Sequence, residues 1–591
     1  MAAAAFLVLI GAAMAIHLLW LRTGRSAAGP ARRSAATAKR TLIVGHAFSH
    51  NRIAPRRADR LSTPTAPASA AHAHWVPSAN PWAIAVAVMT ATFMVVLDSS
   101  VANVALPHIA GSLSASTDES TWVLTSYLVS NAIMLPATSW IARRMGRKRL
   151  LMVSILVFTG ASMLCGAAIN MPMLILARIL QGLGGGGMQP LSQSILLESF
   201  PPSQHGKAMA IFGMGIVVAP VIGPTLGGWI TDSYSWRWIF YINLPVGIVA
   251  LLLTAMFIED PPYLRTKFSG VIDSLGFGCM ALWLGTLQLV LDKGQEADWF
   301  SAGWIRWTAG LSVVAFACFI VRELHTAEPI VQLHILLNRN FSVGTFVTGI
   351  YGFVLYAATA LLPLFLQTLL GYSALDSGLA VSPRGLGSMA SMVVAGALAD
   401  RVDNRWLLMF GFAVFGGSTL MLARLNFSIG MGSVVFPNIL NGFAGGFVFV
   451  PLTTMAMGRL ARQEIGNAAG IYNLVRNIGG SVGIATATTL LERRAQVHQN
   501  YLSSSLNPAD PALNGALGGL QSWMHTSGAS PANAHTMALA AIYRSLIQQA
   551  SLMAYVDAFK LLAYLSLLCV PVILLFQRVR RERGARISIE E

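Results

Sequence analysis

From about residue 83 to residue 577 the chain is a succession of apolar runs, each about as long as a bilayer is thick. A helix needs about 20 mainly apolar residues, rising about 1.5 Å each, to cross the hydrocarbon core. Fourteen runs have that length: 83–106, 121–141, 149–168, 173–197, 207–230, 238–257, 270–291, 303–321, 341–366, 377–399, 405–424, 430–457, 466–490 and 558–577. Backbone polar groups find no water in lipid, so each run is predicted to be helical. Composition agrees. Only 11% of residues are charged and 55% are hydrophobic, against about 25% charged in soluble domains. The expected fold class is an all-α polytopic membrane protein.

The net charge of +16 would suggest nucleic acid in a soluble protein. Here ten of the Lys and Arg residues fall between Arg22 and Arg60, and five more follow Gln577. The loop after the second run carries Arg143, Arg144, Arg147, Lys148 and Arg149, and alternate loops add Lys207, Arg265, Lys267, Arg322, Arg339, Arg401, Arg405, Arg459 and Arg462. The opposite short loops hold few: Arg237, Lys293, Arg306 and Arg424. This asymmetry is topogenic, not a nucleic-acid surface, and predicts that both chain ends are cytoplasmic.

Residues 1–80 fit less neatly. An Ala-rich apolar run over 2–21 precedes a Pro-, Ala-, Ser- and Arg-rich stretch of low complexity. Three readings compete: a fifteenth span, a signal-like segment, or a stretch before the true start. We take it as a dispensable, disordered extension. Residues 491–557 separate the last two runs and are expected to be an extracytoplasmic loop. Its second half, about 534–556, has helical composition, with Met537, Leu539, Ala541, Ile542, Leu546 and Leu552 as its apolar residues. It reads either as a helix packed on its own bundle or as a docking surface for a partner.

Charges inside apolar runs are costly and are functional candidates by default. Asp98 ends a long apolar stretch in the first run; a carboxyl that is expensive to keep charged there can carry a proton. Arg178 lies inside the fourth run, in Arg178-Ile179-Leu180-Gln181-Gly182, and is its natural partner. A permanent packing pair is the plainer alternative. Arg384 and Arg476 are also intramembrane. Asp273 sits near the cytoplasmic start of the seventh run, where a solvated reading is expected, and Glu198 at the cytoplasmic end of the fourth, where a capping or surface role is expected. The four cysteines, Cys165, Cys279, Cys318 and Cys569, lie in apolar runs without metal-ligand spacing, so neither disulfide nor metal is expected. The fifth run holds Gly213-x-Gly215 and then Ala219-Pro220-Val221-Ile222-Gly223-Pro224-Thr225-Leu226-Gly227-Gly228. Small residues allow close helix approach and prolines bend a helix.

Together these motifs resemble the major facilitator superfamily, specifically its fourteen-span drug:proton antiporters of the EmrB/QacA type. The resemblance rests on Leu97-Asp98-Ser99-Ser100-Val101-Ala102-Asn103-Val104-Ala105-Leu106-Pro107, Trp122-Val123-Leu124-Thr125-Ser126-Tyr127-Leu128, Arg178-x-x-Gln181-Gly182, Gly223-Pro224-x-x-Gly227-Gly228, and Trp236-Arg237-Trp238-Ile239-Phe240-x-Ile242-Asn243-Leu244-Pro245. It covers about residues 82–577. One stretch departs: Ser139 and Arg143 stand where the superfamily loop has Gly and Asp, whereas Gly396-Ala397-Leu398-Ala399-Asp400-Arg401 keeps its Asp. Arg494-Ala495-Gln496-Val497-His498-Gln499 and the stretch around Tyr555 and Asp557 are similar to the EmrB branch.

The resemblance implies two six-helix halves, 81–257 and 341–577, with an inserted pair in 258–340 and a basic tail at 578–591. It implies export of amphiphilic drugs across the inner membrane by alternating access. The proton gradient drives the cycle without a cofactor, through Asp98 and Arg178. The antiporter motif is Gly215, Pro220, Gly223, Pro224, Gly227 and Gly228. The substrate cavity is expected at Asn131, Gln181, Gln193, Gln367, Arg384 and Arg476. The cytoplasmic gate is expected at Gly146, Arg147, Asp400 and Arg401. A periplasmic adaptor and an outer-membrane channel are the implied partners. Export of one endogenous compound is the alternative, and a non-transporting receptor or scaffold a remote one; no enzymatic constellation is present.

Overall fold

The computed structural model describes residues 77–261, 273–326, 328–399, 401–427, 429–507 and 509–577. The run at 2–21, nearly all of the 1–80 extension, Asp400 and the tail from Arg578 lie outside the described residues.

Among the described residues there are no strands. Helices α1 (Pro81–Ser112), α2 (Thr117–Met145) and α3 (Arg147–Gly166) make the first three crossings. The fourth is built from α4 (Met171–Gly185) and α5 (Met188–Ser199), the fifth is α6 (His205–Ser233), and the sixth joins α7 (Trp238–Tyr241) to α8 (Asn243–Phe257). The inserted pair is α9 (Ser274–Lys293) and α10 (Gly303–His325). The second half holds α11 (Arg339–Leu364), α12 (Ala374–Val381) continued by α13 (Pro383–Ala399), α14 (Asn404–Leu422) and α15 (Met431–Met457). It ends with α16 (Ile465–Ser505), α17 (Pro511–Thr526) and α18 (Pro531–Val572). With α17 set aside because 16 residues are too few to cross and it packs on α18, this gives the fourteen expected crossings. Ten are long and apolar enough to span a membrane. The others are the more polar α2 and α16 and the interrupted pairs α4–α5 and α12–α13.

Local chemistry sets the helix starts. The Asn80 carboxamide accepts from Trp82 N–H at 2.9 Å, with Pro81 in the first turn. Ser116 and Glu119 form a reciprocal capping box at α2, which satisfies two otherwise orphaned N–H groups. In the first half α1 packs on α6, and α4 on both α2 and α3; in the second, α11 packs on α16 and α15 on both α13 and α14. Between halves α6 meets α13 and α15, while α16 meets α2 and α5. Helix α9 touches both α2 and α16, so the inserted pair lies across the seam.

The segment over 491–557 differs from the expected loop. Helix α16 runs unbroken to Ser505, and α18 begins at Pro531 and enters the bundle without a break. The segment is therefore a projection of two helices bridged by α17. An Ala-rich sequence with Ser530 as N-cap and Pro531 behind it sustains helix without lipid. Of the apolar residues named in this stretch only some face the neighbours. Ala534, Ala538, Leu546, Ala550 and Leu552 are buried, whereas Met537 and Leu539 are exposed. His498 Nε2 meets Asp557 Oδ2 at 2.9 Å and Gln499 donates to the Tyr543 hydroxyl at 3.0 Å, tying the two helices together.

Candidate functional site

Asp98 sits on α1 with its side chain 1% exposed, against a fully buried Arg178 on α4. Arg178 Nη1 donates to Asp98 Oδ2 at 2.6 Å. The other carboxylate oxygen accepts from Gln181 Nε2 at 2.8 Å and from Asn243 Nδ2 at 2.7 Å. Residues 178 and 181 share one face of α4 because they are three apart, and Arg178 Nη1 also donates to Gln181 Oε1 at 2.8 Å. Arg178 Nε donates to the Val123 carbonyl at 3.0 Å, and the guanidinium lies 4.3 Å from the Tyr127 ring centroid. A buried charge survives only when paired and hydrogen-bonded; here the carboxylate has three donors.

Asn243 has no role in the sequence reading beyond its motif. The Trp-Arg signature explains how it reaches Asp98. Trp236 Nε1 donates to Ser112 Oγ at 2.6 Å, at the end of α1. Arg237 Nη1 donates to the Gly166 and Ala168 carbonyls at 3.0 and 2.5 Å, at the end of α3. These ties fix the α7–α8 turn, and Asn243 Nδ2 then also reaches Ser162 Oγ at 2.9 Å.

Gln181, expected in the substrate cavity, belongs instead to this buried network. Gln193 is also fully buried, and accepts from Asn473 Nδ2 across the two halves at 2.7 Å. Arg476 Nη2 donates to Gln189 Oε1 at 3.0 Å, again between halves, and Arg384 Nη1 donates to Thr359 Oγ1 at 2.7 Å. Both arginines lie within electrostatic reach of the Tyr351 hydroxyl. Asn131 is half-buried on α2, and Gln367 donates to Ser377 Oγ at 3.3 Å in the link from α11 to α12.

The antiporter motif lies in α6, with Gly215, Pro220, Gly223, Pro224, Gly227 and Gly228 in one helix. Gly223 and Gly227 face α1. A Cβ on Gly223 would sit 2.4 Å from Ser100 Oγ, and one on Gly227 3.2 Å from the Val101 Cα. The motif therefore holds α6 against the helix that carries Asp98.

At the basic end, Gly146 has φ +86°, a left-handed turn that favours glycine. The Asp260 carboxylate accepts from the Arg147 and Lys148 N–H groups at 2.6 and 3.0 Å. Arg147 Nη1 meets Glu198 Oε2 at 2.5 Å with both side chains buried, so the surface role expected for Glu198 is corrected. The solvated reading of Asp273 is corrected too: it is 6% exposed and caps α9, just ahead of the membrane crossing, by accepting from Gly276 N–H at 3.0 Å. Burial opposes its charge, but that N–H, Arg322 and Thr326 outweigh burial and hold the carboxyl below its ordinary value. Where the superfamily's Gly and Asp are replaced, Ser139 Oγ donates to Asn467 Oδ1 at 3.3 Å and Arg143 Nη2 to the Pro329 carbonyl at 3.3 Å. Asn467 also exchanges hydrogen bonds with the Gln332 backbone at 3.3 and 3.1 Å. Arg401 is exposed beyond α13.

The sequence matches the Major Facilitator Superfamily over residues 88–484. The chain belongs to that superfamily. It is of the EmrB type: it is 38% identical over 428 residues to the multidrug export protein EmrB of Escherichia coli K12, covering 72% of this chain and 83% of that one. The fatty acid resistance protein FarB of Neisseria gonorrhoeae is 38% identical over 427 residues, with the same shares covered. The human organic anion transporter MFSD10 has a TM-score of 0.52 at 13% identity, covering 82% of this chain and 99% of that one, a likeness of fold. As a superfamily member the chain is a multi-pass membrane transporter and not an enzyme.

Proposed function

We propose that the protein is a proton-coupled exporter of amphiphilic drugs in the inner membrane, working by alternating access. The buried Asp98–Arg178 pair, completed by Gln181 and Asn243, carries this reading. The names of the EmrB relatives support drug export. Protonation of Asp98 removes the charge that compensates Arg178. Leaving one partner of a buried pair alone costs about 3–5 kcal/mol, while one charge moving through about 100 mV supplies about 2.3 kcal/mol. The two are of the same order, and the acceptors that Arg178 retains offset part of the difference, so proton uptake biases the bundle toward another arrangement. Arg178 then turns to its remaining acceptors, the Val123 carbonyl and Gln181 Oε1. The loop charges support placing the basic end in the cytoplasm. Contacts at that end, such as Ser139 with Asn467, favour reading this arrangement as closed to the cytoplasm.

Asp98→Asn tests the coupling. Efflux driven by a proton gradient in proteoliposomes is expected to fall at least about tenfold while substrate exchange without a gradient continues. Unchanged gradient-driven efflux would overturn the assignment. The helical projection over 491–557 is the surface proposed for a periplasmic adaptor, which would link the exporter to an outer-membrane channel. Replacing residues 506–530 with a short Gly-Ser turn is expected to abolish crosslinking to the adaptor and leave the bundle folded. Retained crosslinking would place docking elsewhere. The alternative, a dedicated exporter of one endogenous compound, gains some support from FarB, named for fatty acid resistance. A broad transport panel separates the two.

A further inference from the structure

The halves differ in how they handle buried charge. In the first, Arg178 is matched by Asp98. In the second, no Asp or Glu occurs over 339–375, 377–399, 404–457 or 465–491, yet Arg384 and Arg476 lie within these segments. Arg476 is 5% exposed. It donates through Nη2 to the neutral Gln189, and its buried Nε has no acceptor. Arg384 donates through Nη1 to the neutral Thr359, and its buried Nη2 likewise has no acceptor. Among the described residues neither guanidinium has a carboxylate partner. The Tyr351 hydroxyl and Ser388 Oγ, one turn beyond Arg384 on α13, approach the same glycine, Gly445, and Arg476 Cγ packs against Gly352 beside Tyr351; the Tyr351 ring is backed by Phe412 and Phe415 with centroids 6.3 Å away.

Two unmatched cations in an apolar bundle are held at a steep desolvation cost, which an anion would relieve. The unused donors, Arg384 Nη2 and Arg476 Nε, come from helices α13 and α16, and Arg476 already spans the seam between halves through Gln189. A planar guanidinium suits a carboxylate or sulfonate, since it offers paired N–H donors in a fixed fork. Pro383 interrupts the tenth crossing, so Arg384 sits in the first turn of α13, where the helix dipole adds to the positive field.

We propose that Arg384 and Arg476 form an anion clamp that takes the charged head of an amphiphilic organic anion, with Tyr351 as a third donor. The protein therefore prefers organic anions to neutral or cationic compounds with the same apolar body. The proposal rests on reading the seam between halves as the substrate site.

The test uses the full-length protein in nanodiscs, without a proton gradient, and three fluorescent probes with one body: 1-pyrenebutyrate, its carboxamide, and 1-pyrenebutylamine. Wild type is expected to bind the butyrate about tenfold more tightly than either analogue, because only the carboxylate brings a compensating charge and two acceptor oxygens to the buried guanidiniums. Arg384→Gln combined with Arg476→Gln is expected to erase that preference, while Arg476→Lys keeps part of it. Equal affinities for the three probes in wild type would overturn the clamp, whether or not the double variant folds. So would an intact preference in a folded double variant, which would leave the arginines merely solvated. Anion-selective binding without gradient-driven efflux of 1-pyrenebutyrate would leave the clamp standing and remove the transport reading.

Discussion

Ser139 on α2 and Asn467 on α16 join the two halves at the basic end, hydroxyl to carboxamide oxygen at 3.3 Å. They stand over the Gln332 backbone, which exchanges two hydrogen bonds with the same Asn467. Neutral hydrogen bonds contribute about 1 kcal/mol each, so this closure is easily broken and suits a gate that opens in every cycle. The Ser139→Cys, Asn467→Cys double variant is expected to form a disulfide on mild oxidation and to stop efflux. A reductant should restore it. Efflux that continues at full rate with the disulfide shown to be formed would mean that the two halves do not part there.

Arg147 and Glu198 are a different kind of contact, because both charges are buried. Glu198→Gln leaves Arg147 without its partner's charge, and the thermal midpoint in detergent should fall, with a cost of about 3–5 kcal/mol. Replacing both residues by Met should recover most of that loss, since a buried pair exchanged for apolar packing is often neutral. A double variant no more stable than Glu198→Gln would count against the pair as the source of the effect.

The antiporter motif can be tested by contrast. A methyl on Gly223 would meet Ser100 Oγ at 2.4 Å, whereas one on Gly228 meets nothing within 4 Å. Gly223→Ala is expected to cost about 1–3 kcal/mol, or to slow turnover, by prising α6 from α1. Gly228→Ala should stay within about 0.5 kcal/mol of wild type. Equal effects in a stability and transport assay would show that contact with α1 is not what the motif provides.

The carboxyl of Asp273 is held below the ordinary carboxyl range in the folded state. A depressed folded value means that its stabilising contribution is fully present above the unfolded value. The contribution is lost as the pH falls through the folded one. Asp273→Asn should therefore lower the unfolding temperature at about pH 7 and make little difference at about pH 2. Thermal unfolding of both proteins at the two pH values checks this, and a penalty that persists in acid would assign the effect to lost hydrogen bonds alone.

The fold and half of the site were legible because lipid punishes exceptions. An Asp or Arg within an apolar run stands out, so Asp98 and Arg178 could be paired from sequence although 80 residues apart. Gln181 was visible but misplaced. Its spacing of three from Arg178 puts it on the arginine's face of α4, a relationship that points to the pair before it points to a cavity. Asn243 was harder: a neutral polar residue at the start of α8 carries no penalty that marks it, and only the Trp236 and Arg237 anchors bring it to Asp98. Glu198 and Asp273 read as surface groups because run ends are usually wet; nothing local discloses Arg147 as a partner, whereas the N-cap spacing from Asp273 to Gly276 was a local signal that went unread. The 491–557 segment lacked the length of apolar sequence that signals a crossing. Its capped, Ala-rich helices do not need one.

Helices α16 and α18 pass from the bundle into the projection without a break. A continuous helix transmits rotation and does not absorb it. From residue 557 back to Pro531, α18 reaches about 40 Å at about 1.5 Å per residue. A tilt of the second half by about 10° would sweep its tip through about 7 Å. The projection is thus a lever arm geared to the membrane cycle, and anything seated on it would feel each turnover as a displacement it could pass on.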